Sequence, residues 1–280
     1  MTDGQELARR YLEQQRELGG NSVILEQAAR TPAPAPDRAQ GVTPGMTPGP
    51  VNPAPGEVPL TPGARSGQPQ TPDQPLPPPG ISYEPPAGDL FTKDPIQQTA
   101  DLDAVAALVA DCTKCRLCES RTHTVPGEGP RDARIVVVGE GPGRTEDETG
   151  RPFVGQAGEL LTKVLAAIDL PRDQVFICNV TKCRPPENRT PLFDEIQSCV
   201  PYLFRQIELI GPRVILAMGN TAAQTLLNTK QSLGALRNRV HRFRGTPVIV
   251  TYHPAALLRN PNWKRPTWDD VRIARRILDG

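Results

Sequence analysis

Four short apolar runs, each rich in β-branched residues, constrain the fold of this chain more than any other feature. They read RIVVVGE, QVFICNV, RVILAMG and PVIVTYH, at residues 134–140, 174–180, 213–219 and 247–253. Runs that are apolar on both faces are typical of buried parallel strands, and helical patterns lie between these four. The alternation predicts an α/β fold: a three-layer domain with a central four-stranded parallel sheet flanked by helices.

A proline-rich region precedes the predicted domain. Residues 32–95 contain 19 of the chain's 33 prolines, so they bury too little apolar area to offset the entropy lost on ordering. We expect a disordered, Pro/Gly-rich linker at residues 31–98 and the folded domain at residues 99–280. Residues 1–30 contain a helical pattern at 5–18, which suits either a solvated helix or one that docks on a protein partner.

Charge is unevenly distributed along the chain. Residues 101–280 carry 25 basic and 20 acidic side chains, against 7 basic and 11 acidic before them. Between Lys230 and Arg276 there are eleven lysines and arginines but two acids, Asp269 and Asp270. This segment is either a solvated basic surface or a polyanion-binding face, and nucleic acid is the usual polyanion.

The first residues and the cysteines indicate a reducing compartment. The opening MTDGQELARR has no apolar run behind a basic start, and no stretch approaches the length of a membrane span. We therefore expect a cytoplasmic protein that does not associate with membranes; we also expect a monomer. Thiols stay reduced in the cytoplasm, so the six cysteines point to metal or redox chemistry rather than to disulfides.

Polar side chains follow three of the four apolar runs. The runs lead into Glu140, Asn179, Gly219 and His253. In parallel α/β sheets, ligands bind at the carboxyl ends of the strands, so these positions should share one rim. A carboxylate, a carboxamide and an imidazole around one pocket suit an active site.

Two loops offer further contacts for a ligand. In GEGPG, residues 139–143, Gly141 lets the backbone approach a ligand closely. The loop lacks both GxGxxG and the Lys-Ser/Thr ending of a phosphate-binding P-loop, so an ordinary strand-to-helix turn is equally open. Phe153 lies in a loop before a helical pattern, where it is either a core residue or a platform for a planar base.

The segment YHPAALLRNP, residues 252–261, follows the last apolar run. Leu257, Leu258 and Arg259 come shortly after His253. Apolar side chains beside an arginine suit a wedge that enters a stack of nucleic-acid bases. A buried helix start is the alternative.

Three cysteines, Cys112, Cys115 and Cys118, are spaced as in a bacterial ferredoxin, but the expected fourth position is Thr122. Further ligands must therefore come from Cys183 or Cys199, which lie far along the chain. Four thiolates suit either zinc or an iron–sulfur cluster, and both stay open on this chemistry. Cys178 falls inside an apolar run and is expected in the core.

Taken together and in order, CTKC, GEGPG, TGRPFVGQAGELL, NVTKCRPPENRTP and HPAALLRNP resemble the family 4 uracil-DNA glycosylases, the iron–sulfur branch of their superfamily. The resemblance covers about Cys112 to Leu278. It implies an enzyme that flips uracil out of DNA and hydrolyses its N-glycosidic bond, which releases free uracil and leaves an abasic site. It also implies a [4Fe–4S] cluster on Cys112, Cys115, Cys183 and Cys199, with Cys118 as a spare thiol.

The resemblance assigns roles residue by residue. It implies that His253 stabilises the departing uracil, while Glu140 positions water and stabilises the cationic sugar. Substrate contacts are implied for Gly141, Phe153, Asn179 and His253. DNA contacts are implied for Leu257, Leu258 and Arg259.

Three other functions remain open at this point. A family 5-like glycosylase would accept a broader range of deaminated bases, but the first motif of that family lacks the glutamate found here at Glu140. An iron–sulfur module could bind DNA without catalysis. A zinc-stapled α/β hydrolase could act on nucleotides. The loop after Asn179 contains no histidine, so turnover is expected rather than a trapped covalent adduct.

Overall fold

A computed structural model describes residues 75–84 and 95–280 of the chain. The predicted N-terminal helical segment and most of the predicted linker lie outside the described residues. The domain itself is built around one sheet.

Six strands form a mixed sheet in the order β1-β5-β6-β4-β2-β3. They are β1 (Pro79–Tyr83), β2 (Ile135–Gly139), β3 (Phe176–Asn179), β4 (Val214–Met218), β5 (Val240–Phe243) and β6 (Thr246–Thr251). The four predicted apolar runs are β2, β3, β4 and β6, and each is parallel to its neighbour among them. The prediction of a four-stranded parallel sheet is wrong in extent, because β5 pairs antiparallel with β6 and β1 adds a sixth strand.

The two additional strands lack the signature of a buried run. β5 reads VHRF and alternates between buried and more exposed residues, as expected near a sheet edge. β1 begins at a proline and pairs with β5 alone, which suits an edge strand. Gly80 of β1 lies against His241, where an added Cβ would come within 2.4 Å of the imidazole Nδ1.

The predicted boundary between linker and domain is consequently too late. Residues 79–83 were expected in the linker but belong to the sheet. A short 3-10 helix, Pro95–Gln98, also precedes the expected start of the domain, and its Ile96 is fully buried. A proline-rich composition did not prevent these residues from pairing or packing.

Helices cover both faces of the sheet, so the prediction of three layers is confirmed. In the described residues they are α1 (Leu102–Ala110), α2 (Arg144–Thr149), α3 (Gln156–Ala166), α4 (Phe193–Ile210), α5 (Asn220–Leu227), α6 (Leu233–Leu236), α7 (Pro254–Arg259) and α8 (Lys264–Asp279). The apolar residues of α4 and α5 pack with Val136 and Val138 in one core. Those of α3 and α8 pack with Ile135 and Val137 in the other. Successive side chains of β2 point to opposite faces of the sheet and therefore pack in two separate cores.

Helix α1 anchors the segment that carries the first cysteines. Its N-terminus is capped by Asp101, whose carboxylate accepts a hydrogen bond from Ala104 N at 2.8 Å. Val105 and Val109 of α1 pack in a third cluster with Cys199 and Tyr202 of α4. This packing sets the cysteines that follow α1 beside those of α4. Among the described helices, none has the combination of length and apolar character needed to cross a membrane.

Candidate functional site

The carboxyl ends of the parallel strands open onto a cavity of about 760 Å³, which we call the strand-end cavity. Gly139 and Asn179 stand side by side at the ends of β2 and β3. Six of the predicted site residues line the cavity, namely Glu140, Gly141, Phe153, Asn179, His253 and Arg259. The expected convergence of a carboxylate, an amide and an imidazole is therefore present.

The amide of Asn179 is held buried with its oxygen free. The residue is 1% exposed, and its Oδ1 has no hydrogen-bond partner within the described part of the chain. Leaving such a group unsatisfied costs roughly 1–3 kcal/mol, which a ligand donor would recover. Gly139 makes this placement possible, because a Cβ there would lie 2.4 Å from Asn179 Oδ1 and 2.5 Å from Phe153 Cζ.

Phe153 serves both the core and the cavity. It is 5% exposed, belongs to the core formed by α3 and α8, and lines the strand-end cavity. Its backbone is left-handed, with φ of 51°, a conformation that a bulky residue adopts only when its surroundings impose it. Arg172 donates a hydrogen bond to Phe153 O at 2.9 Å, and Gly158 leaves no room for a Cβ against that carbonyl. The ring centroid lies 5.4 Å from that of His253.

Glu146, which the sequence reasoning missed, connects the two loops of the cavity. Its Oε2 accepts a hydrogen bond from Gly143 N at 3.1 Å. Its Oε1 accepts from Val154 N and Gly155 N, each at 2.9 Å. One carboxylate therefore ties the GEGPG loop to the loop that carries Phe153. The available signal was a glutamate three residues after Gly143, the spacing of a helix-capping box.

His253 is held as a neutral hydrogen-bond donor. It caps the N-terminus of α7, and its Nδ1 accepts a hydrogen bond from Ala255 N at 3.2 Å. The proton of the neutral ring is therefore on Nε2. Burial lowers the pKa of His253 to about 4, and the charge of Arg259 acts in the same direction. At neutral pH the side chain offers one N–H and no positive charge.

Glu140 is fixed by a residue that nothing in the sequence marks. Thr221, in the first turn of α5, donates a short hydrogen bond to Glu140 Oε2. The Glu140 backbone carbonyl accepts a bond from Thr181 N at 3.1 Å, just beyond β3. The carboxylate thus has a defined position at the cavity wall. Thr221 is part of an ordinary helical pattern, so its contact emerges only in three dimensions.

The three predicted DNA contacts separate in the structure. Leu258 is 47% exposed and Arg259 is exposed, whereas Leu257 is 1% exposed and packs inside. Adjacent residues of a helix point about 100° apart, so α7 cannot present both leucines to the same partner. Leu258 and Arg259 are therefore the members of this segment at the surface, and a DNA contact of Leu257 stays a prediction.

Five cysteines line a second, smaller cavity, which we call the cysteine cavity. They are Cys112, Cys115, Cys118, Cys183 and Cys199. Cys178 is fully buried in β3 and belongs to the core, as expected. In the part of the chain that the structure describes, no three His, Cys, Asp or Glu side chains close around a position for a single metal ion. The five thiols nevertheless share one space.

The cysteine cavity is electrostatically suited to a negative donor set. Burial, with smaller contributions from Cys183 and Cys112, raises the pKa of Cys199 to about 12 against the opposing effect of Lys182. Burial also raises the pKa of Cys183, and Arg121 acts against that rise, since it donates to Cys183 Sγ at 3.2 Å. Arg121 also donates to Cys112 O at 2.7 Å. Thiolates would be stable here if they were bound to a cationic group.

Lys182 connects the two cavities. Its backbone N–H donates to Cys199 Sγ at 3.2 Å. The residue as a whole is 1% exposed. Its ammonium donates to two neutral acceptors, Asn179 O at 2.9 Å and Gln206 Oε1 at 2.7 Å. A buried cation is costly unless a negative group lies close by. The cysteines are placed to supply that charge once they are deprotonated.

Comparison with known proteins identifies a matching family model and several similar proteins. The model of the Uracil DNA glycosylase superfamily matches residues 126–272. The chain is 46% identical over 181 residues to a type-4 uracil-DNA glycosylase of Thermotoga maritima, covering 63% of this chain and 94% of that protein. It is 44% identical over 185 residues to a type-4 enzyme of Sulfurisphaera tokodaii, covering 63% and 84%. A type-5 uracil-DNA glycosylase of Pyrobaculum aerophilum is 32% identical over 170 residues, covering 54% and 74%.

Proposed function

This chain belongs to the uracil-DNA glycosylase superfamily and, within it, to the type-4 enzymes, and from that premise we propose how its strand-end cavity excises uracil from DNA. The reaction hydrolyses the N-glycosidic bond of deoxyuridine, releases uracil and leaves an abasic site. The observation that carries the proposal is the meeting of Glu140, Asn179 and His253 in one cavity, with the oxygen of Asn179 unsatisfied.

The uracil base must leave the duplex before the cavity can bind it. An enzyme that reacts at a base extrudes it into a pocket, at a cost of about a few kcal/mol. Phe153 lines the cavity on a backbone held by Arg172, so its ring is a fixed surface for the extruded pyrimidine. Stacking on such a ring contributes about 1–3 kcal/mol. Leu258 and Arg259, both exposed on α7, are the proposed contacts to the DNA left behind.

Asn179 selects uracil through complementary hydrogen bonds. Uracil presents N3–H as a donor and O4 as an acceptor, which match Oδ1 and the amide N–H of an asparagine. Cytosine presents the opposite pattern. The free Oδ1 supports this role, because a wrong base would leave buried polar groups unpaired at a cost of about 1–3 kcal/mol.

His253 stabilises the leaving group. When the glycosidic bond breaks, the electron pair goes to the uracil ring and negative charge gathers near O2. The neutral imidazole donates from Nε2, which is the nitrogen left free by the bond between Nδ1 and Ala255 N. Loss of one such donor typically costs about 10²–10³ in rate. Gly141 lines the same cavity, and backbone N–H groups near it are proposed to assist.

Glu140 acts on the sugar side of the bond. The hydrogen bond from Thr221 holds its carboxylate at the cavity wall. There it would orient the attacking water and stabilise the positive charge that develops on the deoxyribose. Thr221 is a positioning residue in this scheme, since it acts through Glu140.

The cysteine cavity is the proposed site of a [4Fe–4S] cluster held by Cys112, Cys115, Cys183 and Cys199, with Cys118 left as a spare thiol. The shared cavity, the guanidinium of Arg121 and the buried ammonium of Lys182 support the fit. When bound, the cluster would crosslink the segment after α1, the loop after β3 and helix α4. Arg121 and Lys182 would then neutralise part of the charge on the thiolates.

The remaining assignments are proposals of the same kind. Uracil-containing DNA is the partner of the cavity, and we propose a monomer. We also propose that the protein is cytoplasmic, because all six cysteines are free and thiols stay reduced in that compartment. For residues 1–30 a solvated segment and one that docks a protein partner both stay open, and we propose that residues 99–280 together with the sheet strand at 79–83 form the catalytic domain.

A glycosylase assay with an iron measurement on the same preparation tests the proposal. Oligonucleotides with one uracil should release free uracil, and those with thymine should not. Asn179→Asp should excise uracil about 10²-fold more slowly and lose part of its discrimination against cytosine, at unchanged iron content. An iron-loaded protein that binds the oligonucleotides but releases no base would overturn the enzymatic function and leave a DNA-binding module. Release of several deaminated bases at similar rates would favour the broader, type-5-like range.

A further inference from the structure

A stacked aromatic pair stands at the strand-end cavity and has no part in the scheme above. The rings of Tyr252 and Trp263 are parallel to within 6°, with their centroids 4.7 Å apart. Tyr252 directly precedes His253, and Trp263 ends the 3-10 helix Pro261–Trp263 that follows α7. Both rings line the same cavity as Asn179.

The inner half of the stack is rigid. The guanidinium carbon of Arg237 lies 4.5 Å from the centroid of Tyr252. Arg237 is itself fixed by Asp270, with Nε and Oδ2 2.7 Å apart, and by a hydrogen bond to Pro266 O at 2.9 Å. Asp270 is fully buried, so this anchor reaches into the domain. Tyr252 therefore presents a fixed face to the indole.

The outer half of the stack is open to solvent. Trp263 is 36% exposed although Tyr252 is stacked on it, so part of the indole stays accessible to a ligand. Its surroundings in sequence are strongly basic, since residues 230–268 contain eight lysines and arginines and no acid. An exposed aromatic ring amid positive charge is the pattern with which proteins hold single-stranded nucleic acid.

We propose that Trp263 is a stacking platform for the nucleobase next to the extruded uracil, so that the cavity has a second base subsite. The proposal rests on the proposed function, because the strand reaches Trp263 only when its uracil is in the cavity. Position favours a neighbouring nucleotide of the same strand, since Trp263 and the uracil contacts line the same cavity. Bases in an intact duplex stay stacked on each other, so the subsite contributes most on single-stranded substrates.

Steady-state kinetics on single-stranded oligonucleotides with one central uracil test the subsite. Trp263→Ala should raise KM about tenfold and leave kcat within about twofold, because the lost contact is made equally before and during bond cleavage. Trp263→Phe, which keeps a ring, should restore KM to within about threefold of the unmodified protein. Two further substrates lack the base immediately 5′ or immediately 3′ of the uracil. On one of these the penalty of Trp263→Ala should vanish, which identifies the stacked neighbour.

Indole fluorescence supplies a measurement that does not depend on activity. The chain has two tryptophans, so Trp268→Phe leaves Trp263 as the only emitter, and Trp263→Phe leaves Trp268. A single-stranded oligonucleotide with one central 2′-fluoro-deoxyuridine keeps the uracil but resists cleavage of its glycosidic bond, and it should quench the first variant and not the second.

The outcomes separate the subsite from the enzyme. A Trp263→Ala protein with unchanged KM overturns the subsite, as does a penalty that is equal on all three substrates, since the ring would then only support the connection between α7 and α8. Quenching confined to Trp268 would overturn it as well. Failure of the proposed function would look different: the unmodified protein would release no uracil from any substrate.

Discussion

The strand-end cavity and the cysteine cavity are built from adjoining residues, yet they reach their final form in different ways. The first is complete in the polypeptide itself: Glu146 ties its loops together, Thr221 fixes Glu140, and Ala255 fixes the tautomer of His253. The second gathers thiols whose pKa values are raised by burial and by one another. One cavity is organised before its ligand arrives, and the other depends on a group that makes thiolates stable.

Lys182 links the two cavities, so a change in one of them can reach the other. Its amide contacts Cys199 and its ammonium contacts the backbone of Asn179. A change in the cysteine cavity therefore has a direct route to the residue that reads uracil. A change in the strand-end cavity away from Asn179 and Lys182 touches neither of these contacts, so we expect it to leave the cysteines unaffected. We expect damage to be asymmetric between the two regions.

Loss of a cysteine ligand should have the largest effect. Cys183→Ala should lose iron, lower the midpoint of thermal unfolding and reduce uracil excision by at least about 10²-fold, because binding of a structural metal group is coupled to folding. Metal analysis, a thermal melt and the glycosylase assay on one sample measure all three. Cys118→Ala is the matched control, since it removes a thiol from the same cavity and should keep its iron. Full iron content in Cys183→Ala would show that another thiol takes its place.

Glu146 tests the claim that the strand-end cavity is organised by the chain alone. Glu146→Ala should lower kcat/KM for uracil excision by about 10- to 100-fold, because three backbone N–H groups lose their acceptor and Phe153 loses its fixed place. Its iron content should stay unchanged, in contrast to Cys183→Ala. Steady-state kinetics with metal analysis measure both.

Glu148→Ala is the control on the same helix, because its carboxylate pairs with Arg144 on the exposed surface. Such surface pairs contribute about 0–1 kcal/mol and should not affect catalysis. Equal kinetics for the two variants would mean that the loops hold their positions without the Glu146 carboxylate. Loss of iron from Glu146→Ala would contradict the expected asymmetry.

The parts of the fold and site that the sequence predicts are those marked by local pattern. β2, β3, β4 and β6 are buried on both faces and appear as unbroken apolar runs, and the ends of parallel strands meet at one edge by geometry. That is why Glu140, Asn179 and His253 could be placed together. β1 and β5 carry no such pattern, because the residues of β5 alternate between buried and more exposed positions and β1, at the edge of the sheet, has no fully buried residue.

Contacts that depend on how elements dock are invisible in the sequence. Glu146 and Thr221 matter because of which backbone amide or carboxylate they meet, and those partners lie in other segments. The two leucines of HPAALLRNP are a further example, because the sequence shows that they are adjacent but only the docking of α7 decides that Leu257 is buried and Leu258 exposed. Lys182 in NVTKC gives no sign that its ammonium lies beneath Asn179.

The smallest expected effect concerns pH, and it isolates His253. An ordinary histidine gains a proton as the pH falls through about 6.5. Burial lowers the pKa of His253 to about 4, so the imidazole should stay neutral, with its N–H on Nε2, from pH 8 down to about pH 5. The value of kcat/KM for uracil excision should therefore change less than about twofold on crossing pH 6.5, measured at constant ionic strength.

Nearer pH 4 the activity should fall, because protonation of Nδ1 displaces the hydrogen bond from Ala255 N and turns the ring into a cation. The lowered pKa of His253 also affects stability. Between pH 6.5 and about 4, the unfolded chain binds a proton at His253 and the folded protein does not. This contribution of His253 to stability is therefore present above pH 6.5 and is lost progressively as the pH falls. A thermal melt at each pH separates that loss from a change in chemistry. An inflection of kcat/KM near pH 6.5 that disappears in His253→Asn would contradict the neutral donor and, with it, the view that this cavity is fully organised before DNA binds.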